Sequence, residues 1–167
     1  MDLLAQLRAG QATVQTLSPL NLSQYEKVVF VGLGGSIMAS EAINMLWLET
    51  GPMQYINRAL SLPHWISQKH LVIASSWSGE TAETIGLVKQ AIAQKIATIV
   101  ITSNQESPLA VLAKTANLPT IILPRLVEIP RLAMPLMLAA QLTVLGQSAI
   151  LNEADKFAQA LQDNSLR

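Results

Sequence analysis

Residues 71–81 of the chain read LVIASSWSGET, an apolar run that passes directly into a group of hydroxyl-bearing residues. The first four residues are all apolar, which is typical of a parallel strand buried on both faces. Residues 81–94 have apolar side chains at helical spacing, so a helix is predicted to follow at once. A buried strand that leads through a tight polar turn into a helix is the building unit of α/β proteins.

The same unit recurs on both sides of this stretch. Further strands are predicted at residues 27–31, 54–56, 98–101 and 120–123. Further helices are predicted at residues 2–9, 37–48 and 107–115, with one that begins near Pro130 and a last one that begins at Asn152 or Glu153, while residues 18–21 form a loop. This alternation predicts an α/β fold with a parallel sheet covered by helices on both faces. Such sheets bind ligands beyond the carboxyl ends of their strands.

Length and composition exclude several classes of function. The 167 residues suit one domain that spans the whole chain, and the net charge of zero gives no basic surface for nucleic acid. There is no cysteine, and the two histidines do not form a metal-binding pattern, so no metal site is predicted. The most apolar stretch, residues 132–145, is too short to span a bilayer. The N-terminus lacks the features of a signal peptide, and we expect a cytoplasmic location.

The chain is unusually apolar. Apolar residues make up 50% and charged residues only 13%, about half the usual charged share. This indicates that part of the surface is covered by another subunit or domain, and we expect a homodimer or a partner domain. The alternative is a core that is simply rich in alanine and leucine.

The hydroxyl turn (residues 75–81) is a candidate phosphate site. It carries four hydroxyl side chains, Ser75, Ser76, Ser78 and Thr81, and it precedes a helix. The N-terminus of a helix offers unpaired N–H groups and a partial positive charge, and hydroxyls add neutral donors. The alternative is ordinary capping, for which a single hydroxyl would be enough.

The glycine turn (residues 32–36, sequence GLGGS) follows the first strand and opens a helix. A dinucleotide fingerprint needs a third glycine where Ile37 stands, and a Walker A loop needs a lysine that neither turn has. We therefore predict no nucleotide cofactor. The glycine turn is expected to bring backbone amides and the Ser36 hydroxyl to a sugar, or else to be a tight turn in which Ser36 caps the helix.

Arg131 follows Pro130 at the start of the long apolar helix, where a cation opposes the helix dipole. It either holds a ligand anion or stabilises a developing enediolate oxygen, or else it pairs with Glu128 or with a carboxylate of a partner chain. An aldose–ketose isomerase also needs a general base. Glu128 is the candidate for that base, because Glu41 and Glu83 are better explained as structural groups.

One tryptophan and two histidines also lie near these elements. Trp77, inside the hydroxyl turn, either stacks on a sugar or packs against the neighbouring helix. His64 lies in a polar connection and His70 starts a strand, so neither is expected to be a catalyst.

Taken together, these residues resemble the sugar isomerase (SIS) family, over roughly residues 25–145. The resemblance rests on VFVGLGGS at 29–36, LP at 62–63, LVIASSWSGETAET at 71–84, ITS at 101–103 and PR at 130–131. The chain looks most like the N-terminal domain of the bifunctional phosphoglucose/phosphomannose isomerases. The resemblance implies a five-stranded parallel sheet in a three-layer, flavodoxin-like α/β/α sandwich.

The resemblance also implies roles for individual residues. Ser76, Ser78 and Thr81 would hold the phosphate of a hexose phosphate such as fructose 6-phosphate, glucose 6-phosphate or mannose 6-phosphate. Gly35 and Ser36 would approach the sugar. Arg131 would lie by the reacting carbons.

The chain also departs from the family pattern. Family isomerases carry two SIS domains and take their catalytic glutamate and histidine from the second, which would begin where this chain ends. Glu41 replaces the usual aspartate, and Glu80 replaces the usual asparagine of this branch. Residues 127–129 replace a more polar approach to Pro130. Two hypotheses follow: an aldose–ketose isomerase or half of one, and a non-catalytic phosphosugar-binding module.

Overall fold

The strands form one five-stranded sheet that is parallel throughout. The computed structural model describes residues 2–14, 21–46 and 52–165. Strands β1 to β5 span, in chain order, Lys27–Gly32, Met53–Asn57, His70–Ser75, Ala97–Thr102 and Thr120–Ile122. They lie side by side in the order β2-β1-β3-β4-β5. The predicted α/β fold with five parallel strands is therefore confirmed.

Helices connect the strands and cover the sheet. Helices α1 to α6 span Leu3–Val14, Met38–Met45, Ala82–Ala93, Pro108–Thr115, Met134–Val144 and Ser148–Ser165. Short 3₁₀ helices lie at Leu22–Gln24, Gly34–Ser36 and Pro130–Ala133. Within the described ranges, no helix is both long and apolar enough to cross a bilayer.

The two faces of the sheet bury alternate residues of each strand. On β1, Phe30 belongs to a core that includes residues of α1, α2, α5 and α6. Its neighbours Val29 and Val31 pack instead with residues of α3 and α4. Because both faces are covered, the inner strands β1, β3 and β4 are nearly continuous apolar runs, and the molecule has the expected three layers.

Several helix boundaries differ from those expected. The first helix continues past residue 9 to Val14, and α2 is shorter than predicted, with residues 47–48 of that prediction outside the described ranges. The last helix begins at Ser148, so the prediction of Asn152 or Glu153 is wrong. Gly146, with φ +68°, lies just after α5, and the burial of Leu151 joins the first turn of α6 to the core. The predicted loop at residues 18–21 lies outside the described ranges except for Asn21.

The order of the strands decides where a ligand can bind. The chain crosses from β1 to β2 in one direction and then adds β3, β4 and β5 on the other side of β1. At the carboxyl ends of the neighbouring strands β1 and β3, Gly32 pairs with Ser75. The glycine turn and the hydroxyl turn therefore begin side by side, at the switch point where sheets of this kind bind ligands.

Two helical glycines provide a matched test of the packing. A Cβ on Gly10 of α1 would overlap the carbonyl oxygen of Leu136 and touch Ala139 of α5, whereas a Cβ on Gly86 of α3 would meet nothing within 4 Å. We expect Gly10→Ala to lower the free energy of unfolding by about 1–3 kcal/mol through overpacking. Gly86→Ala should raise it by about 0.5–1 kcal/mol through helix propensity. Urea denaturation measures both changes, and equal stability of the two variants would contradict this packing.

Candidate functional site

The hydroxyl turn is held in place by its own side chains. Ser76, which is only 1% exposed, accepts a hydrogen bond at Oγ from the backbone N–H of Gly79 at 3.1 Å. The same oxygen lies 3.0 Å from Oγ1 of Thr81. Gly79 adopts φ +71°, a conformation that residues with a Cβ rarely take. The turn therefore links the hydroxyls of Ser76 and Thr81 across a glycine that cannot be replaced freely.

The start of α3 is not capped by a side chain. Thr81 occupies the N-cap position but forms no capping hydrogen bond, and the N–H groups of residues 82–84 donate to no described atom. In α4, by contrast, Ser107 accepts a hydrogen bond from the N–H of Ala110 at 3.2 Å. Ordinary capping therefore does not account for the hydroxyls of the turn. The first turn of α3 keeps free donors and the positive end of the helix dipole, which together attract an anion.

The outer part of the turn is open to solvent. Ser78 is exposed, and its hydroxyl accepts a hydrogen bond from the N–H of Glu80 at 3.2 Å. Thr81 is partly exposed, while Glu80 and Glu83 are exposed and pair with no cation among the described residues. A ligand can therefore reach Ser78 and Thr81 directly, whereas Ser76 lies beneath them.

The glycine turn is joined to the hydroxyl turn by a hydrogen bond. Ser36 is 6% exposed, and its Oγ accepts from the backbone N–H of Trp77 at 2.9 Å. The expectation that Ser36 caps the following helix is wrong, because residue 37 is the N-cap of α2 and no side chain caps that end. The hydroxyl satisfies a buried amide of the neighbouring turn instead.

Arg131 lies against the glycine turn. A Cβ built on Gly35 would lie 2.8 Å from the backbone nitrogen of Arg131 and 3.1 Å from its Cγ. A side chain at position 35 would therefore displace Arg131. The structure thus brings Gly35, Ser36 and Arg131 to the same edge of the sheet as the hydroxyl turn.

Comparison with known families agrees with this arrangement. The model of the SIS domain family matches residues 21–151, which is well over half of the chain and includes both turns and Arg131. The chain belongs to the SIS domain family. This SIS domain is also 39% identical over 79 residues to a bifunctional phosphoglucose/phosphomannose isomerase of Caldicellulosiruptor bescii. That match covers 47% of this chain and 23% of the relative, so it spans less than a quarter of the relative's length.

Solved structures share the fold of this SIS domain. A hypothetical protein of Thermus thermophilus aligns with a TM-score of 0.67 and 24% identity, over 95% of this chain and 42% of that one. The NanR protein of Vibrio vulnificus, solved in complex with ManNAc-6P, aligns with a TM-score of 0.57 and 18% identity, over 94% of this chain and 60% of that one. At these identities the likeness supports the fold alone.

The carboxylates considered as bases have other partners. Glu128 forms an ion pair with Arg125 at 2.8 Å and is largely exposed, so it does not pair with Arg131. Glu41 pairs with Arg58 at 2.8 Å, in agreement with a structural role. Arg131 is exposed and forms no ion pair with a described residue. The catalytic roles of Arg131 and Glu128 remain predictions.

Trp77 and His70, which the sequence analysis considered, do not present their rings to the two turns. Trp77 is 2% exposed and belongs to the core beside α5, so it packs inside the molecule and does not offer its ring to a sugar. His70 begins β3, at the opposite edge of the sheet from the two turns, and accepts a hydrogen bond from Ser67 at Nδ1. His64 is exposed. Among the described residues, no group of three or more potential ligands could hold a metal ion.

Residues at the end of β4 and just after it support the hydroxyl turn, and the sequence analysis assigned them no role. The carbonyl of Trp77 accepts hydrogen bonds from the Ser103 hydroxyl at 2.7 Å, from the Ser103 N–H at 3.1 Å and from the Thr102 hydroxyl at 3.3 Å. The Gly79 carbonyl accepts from the N–H of Leu109 at the start of α4. The feature of the sequence that could have indicated this role is the pair Thr102–Ser103, because it ends a buried strand next to the strand that carries the hydroxyl turn.

A separate groove of about 510 Å³ lies between α4 and the edge strand β5. It is lined by Gln105, Glu106, Ala110, Lys114, Leu118, Thr120 and Ile122. None of the predicted site residues lines it, so it is distinct from the site formed by the two turns.

The two positive-φ glycines of the site should differ in their tolerance of alanine. A Cβ on Gly34 would meet nothing within 4 Å, so Gly34→Ala should cost only about 1–2 kcal/mol of conformational strain. A Cβ on Gly79 would overlap the Ser107 side chain, so Gly79→Ala should cost about 2–5 kcal/mol, the strain plus overpacking. Urea denaturation of both variants checks this order, and a Gly79→Ala protein as stable as Gly34→Ala would contradict it.

Proposed function

We propose that this chain is a phosphosugar-binding domain of the phosphoglucose/phosphomannose isomerase type. It binds a hexose 6-phosphate, such as fructose 6-phosphate, glucose 6-phosphate or mannose 6-phosphate, and serves aldose–ketose isomerisation. The uncapped start of α3 carries the proposal. It combines free N–H donors, the positive end of a helix dipole and the hydroxyls of Ser78 and Thr81.

The phosphate group fits this end of the helix on electrostatic grounds. Its charge is met by backbone dipoles and neutral hydroxyls, so no buried cation with its desolvation cost is required. Ser76 supports Thr81 from beneath and completes the set of hydroxyls proposed to hold the phosphate. The sugar then extends toward the glycine turn, where Gly35 and Ser36 lie.

Arg131 is proposed to act on the sugar rather than on the phosphate. It lies beside Gly35 and has no ion pair with a described residue, so its charge is available to a ligand oxygen. In an isomerase of this type, a cation there stabilises the enediolate oxygen that develops during proton transfer. Glu128 is the candidate base on this chain, and it would have to leave Arg125 to reach a substrate carbon.

The proposal predicts that two hydroxyls control affinity. Hydrogen bonds to a charged group are worth about 1.5–3 kcal/mol each, so Ser78→Ala with Thr81→Ala should weaken fructose 6-phosphate binding at least about a hundredfold. The double variant should also lose the ligand-induced rise in melting temperature. Isothermal titration calorimetry and thermal shift measure the two effects.

A matched control removes two hydroxyls elsewhere. Ser23 and Thr115 are exposed and lie outside the two turns, so Ser23→Ala with Thr115→Ala should leave affinity within about twofold of the original chain. Inorganic phosphate, titrated in parallel, separates recognition of the phosphate from recognition of the sugar. The absence of any heat or thermal shift with millimolar fructose 6-phosphate would refute the proposal.

One observation favours a second function, a non-catalytic phosphosugar-binding module. Glu128 is tied to Arg125 at 2.8 Å, so the candidate base on this chain already has a partner. The NanR protein, which shares this fold, is seen with ManNAc-6P bound. A coupled assay with glucose 6-phosphate and mannose 6-phosphate separates the two functions. Binding without turnover, in the purified chain at high concentration, favours the module.

We further propose that the chain works as a homodimer or with a partner SIS domain. Leu126, Ile129 and Leu132, on and just before the 3₁₀ helix that carries Arg131, are 40%, 56% and 57% exposed. Exposed apolar side chains grouped beside a site indicate a covered surface. Sedimentation as a monomer at micromolar concentration would argue against the homodimer. The cytoplasmic location expected from the sequence remains a prediction.

A further inference from the structure

Gln141 is a fully buried polar residue in the most apolar helix of the molecule. It lies on α5 at 0% exposure, among neighbours such as Ala140 and Leu142 that are also completely buried. Burying an amide side chain is unfavourable unless both of its polar ends find partners. The two ends of Gln141 do find partners, and both partners belong to segments that carry the site.

The side chain of Gln141 joins three segments. Its Nε2 donates to Oγ of Ser75 at 3.1 Å, and its Oε1 accepts from Oγ of Ser40 at 3.0 Å. Ser75 ends β3 and is the first residue of the hydroxyl turn. Ser40 lies in α2, directly after the glycine turn. Both serines are 0% exposed, so these hydrogen bonds form without competition from solvent.

The third segment is α5 itself. It begins immediately after the 3₁₀ helix Pro130–Ala133, which contains Arg131. A shift of α5 therefore moves Arg131 relative to the glycine turn, and it moves Gln141 relative to Ser75. Ser75 pairs with Gly32 of the neighbouring strand β1. The placement of this serine therefore also affects the point at which both turns begin.

We propose that Gln141 is a positioning residue of the phosphosugar site. Its two hydrogen bonds set the relative placement of the hydroxyl turn, of α2 with the glycine turn, and of the helix that carries Arg131. It acts through Ser75 and Ser40 and does not touch the ligand. This inference rests on the proposed function, because the effect that it predicts is on ligand affinity.

The test compares two buried glutamines. Gln141→Met keeps the approximate volume and removes both hydrogen bonds. Gln6→Met makes the same change on α1, where Gln6 is 4% exposed and its Oε1 has no hydrogen-bond partner. Titration calorimetry with fructose 6-phosphate and with inorganic phosphate measures affinity, and urea denaturation measures stability separately.

The expected result is a selective loss of affinity. Gln141→Met should weaken binding of both probes about tenfold, the scale on which outer hydrogen-bond partners affect the groups that they orient. Gln6→Met should change affinity by less than about twofold, whatever it does to stability. In heteronuclear NMR spectra without ligand, the backbone amides of residues 76–81 should shift in Gln141→Met and stay unchanged in Gln6→Met.

Smaller changes keep the test decisive if Gln141→Met does not fold. Ser75→Ala and Ser40→Ala each remove one of the two hydrogen bonds and take away only an oxygen atom. Ser75→Ala should weaken phosphate binding, and combining it with Gln141→Met should weaken it no further, because both changes remove the same contact.

The possible failures differ from one another. If the unmodified chain binds neither fructose 6-phosphate nor phosphate, the proposed function fails and this inference fails with it. If the unmodified chain binds and both Gln141→Met and Ser75→Ala bind equally well, the positioning role alone is overturned. The same holds if Gln6→Met weakens binding as much as Gln141→Met, since the effect would then follow from lost stability.

Discussion

The hydrogen bond from the Trp77 amide to the Ser36 hydroxyl is the contact on which the rest of the site depends. This buried hydrogen bond joins the turns that follow the neighbouring strands β1 and β3. It can form only because Gly32 and Ser75 pair at the ends of those strands, which places the two turns in contact. The carbonyl of Trp77 accepts hydrogen bonds from Thr102 and Ser103 at the end of the next strand, β4. Three neighbouring strand ends are therefore joined through one residue.

This framework leaves particular groups unused. The buried Ser76 hydroxyl is engaged by Thr81 and by the amide of Gly79, while the first N–H groups of α3 donate to no described atom. A helix start that lies next to hydroxyls and lacks a cap is suited to an anion, because the donors are already oriented and need no counter-charge from lysine. Arg131 adds a cation at the glycine turn. In the proposed function, the phosphate therefore binds after β3 and the sugar lies beside the turn after β1.

Close packing explains why small residues recur in this region. Gly35 admits the backbone of Arg131, Gly79 admits Ser107, and Gly10 lets α1 approach α5. Each contact would be lost or strained by a single methyl group. Gln141 is a fully buried polar residue of α5, and its amide forms hydrogen bonds with serines from two other elements. The apolar helix α5 is therefore also connected by hydrogen bonds to the hydroxyl turn and to α2.

The family resemblance and the fold could be read from the sequence, because they depend on local patterns. Residues 71–74 and 98–101 are apolar at nearly every position, as strands buried on both faces must be, and the strand ends were placed to within a few residues. Helix ends were less accurate. Gly146 and the buried Leu151 set the start of the last helix, whereas the sequence alone pointed to Asn152 or Glu153, whose types suit a cap.

The sequence by itself determined the strand-turn-helix units and the residues that carry the hydroxyls. Only the tertiary structure decided which of the candidate site residues already have a partner within the protein. Ser36 has the residue type of a helix cap, yet the neighbouring turn supplies the amide that it accepts from. Glu128 lies three residues before Arg131, but its partner is Arg125. Hydrogen-bond and ion-pair partners depend on distances between atoms that are remote in sequence or on the opposite side of a turn, and local residue patterns do not encode those distances.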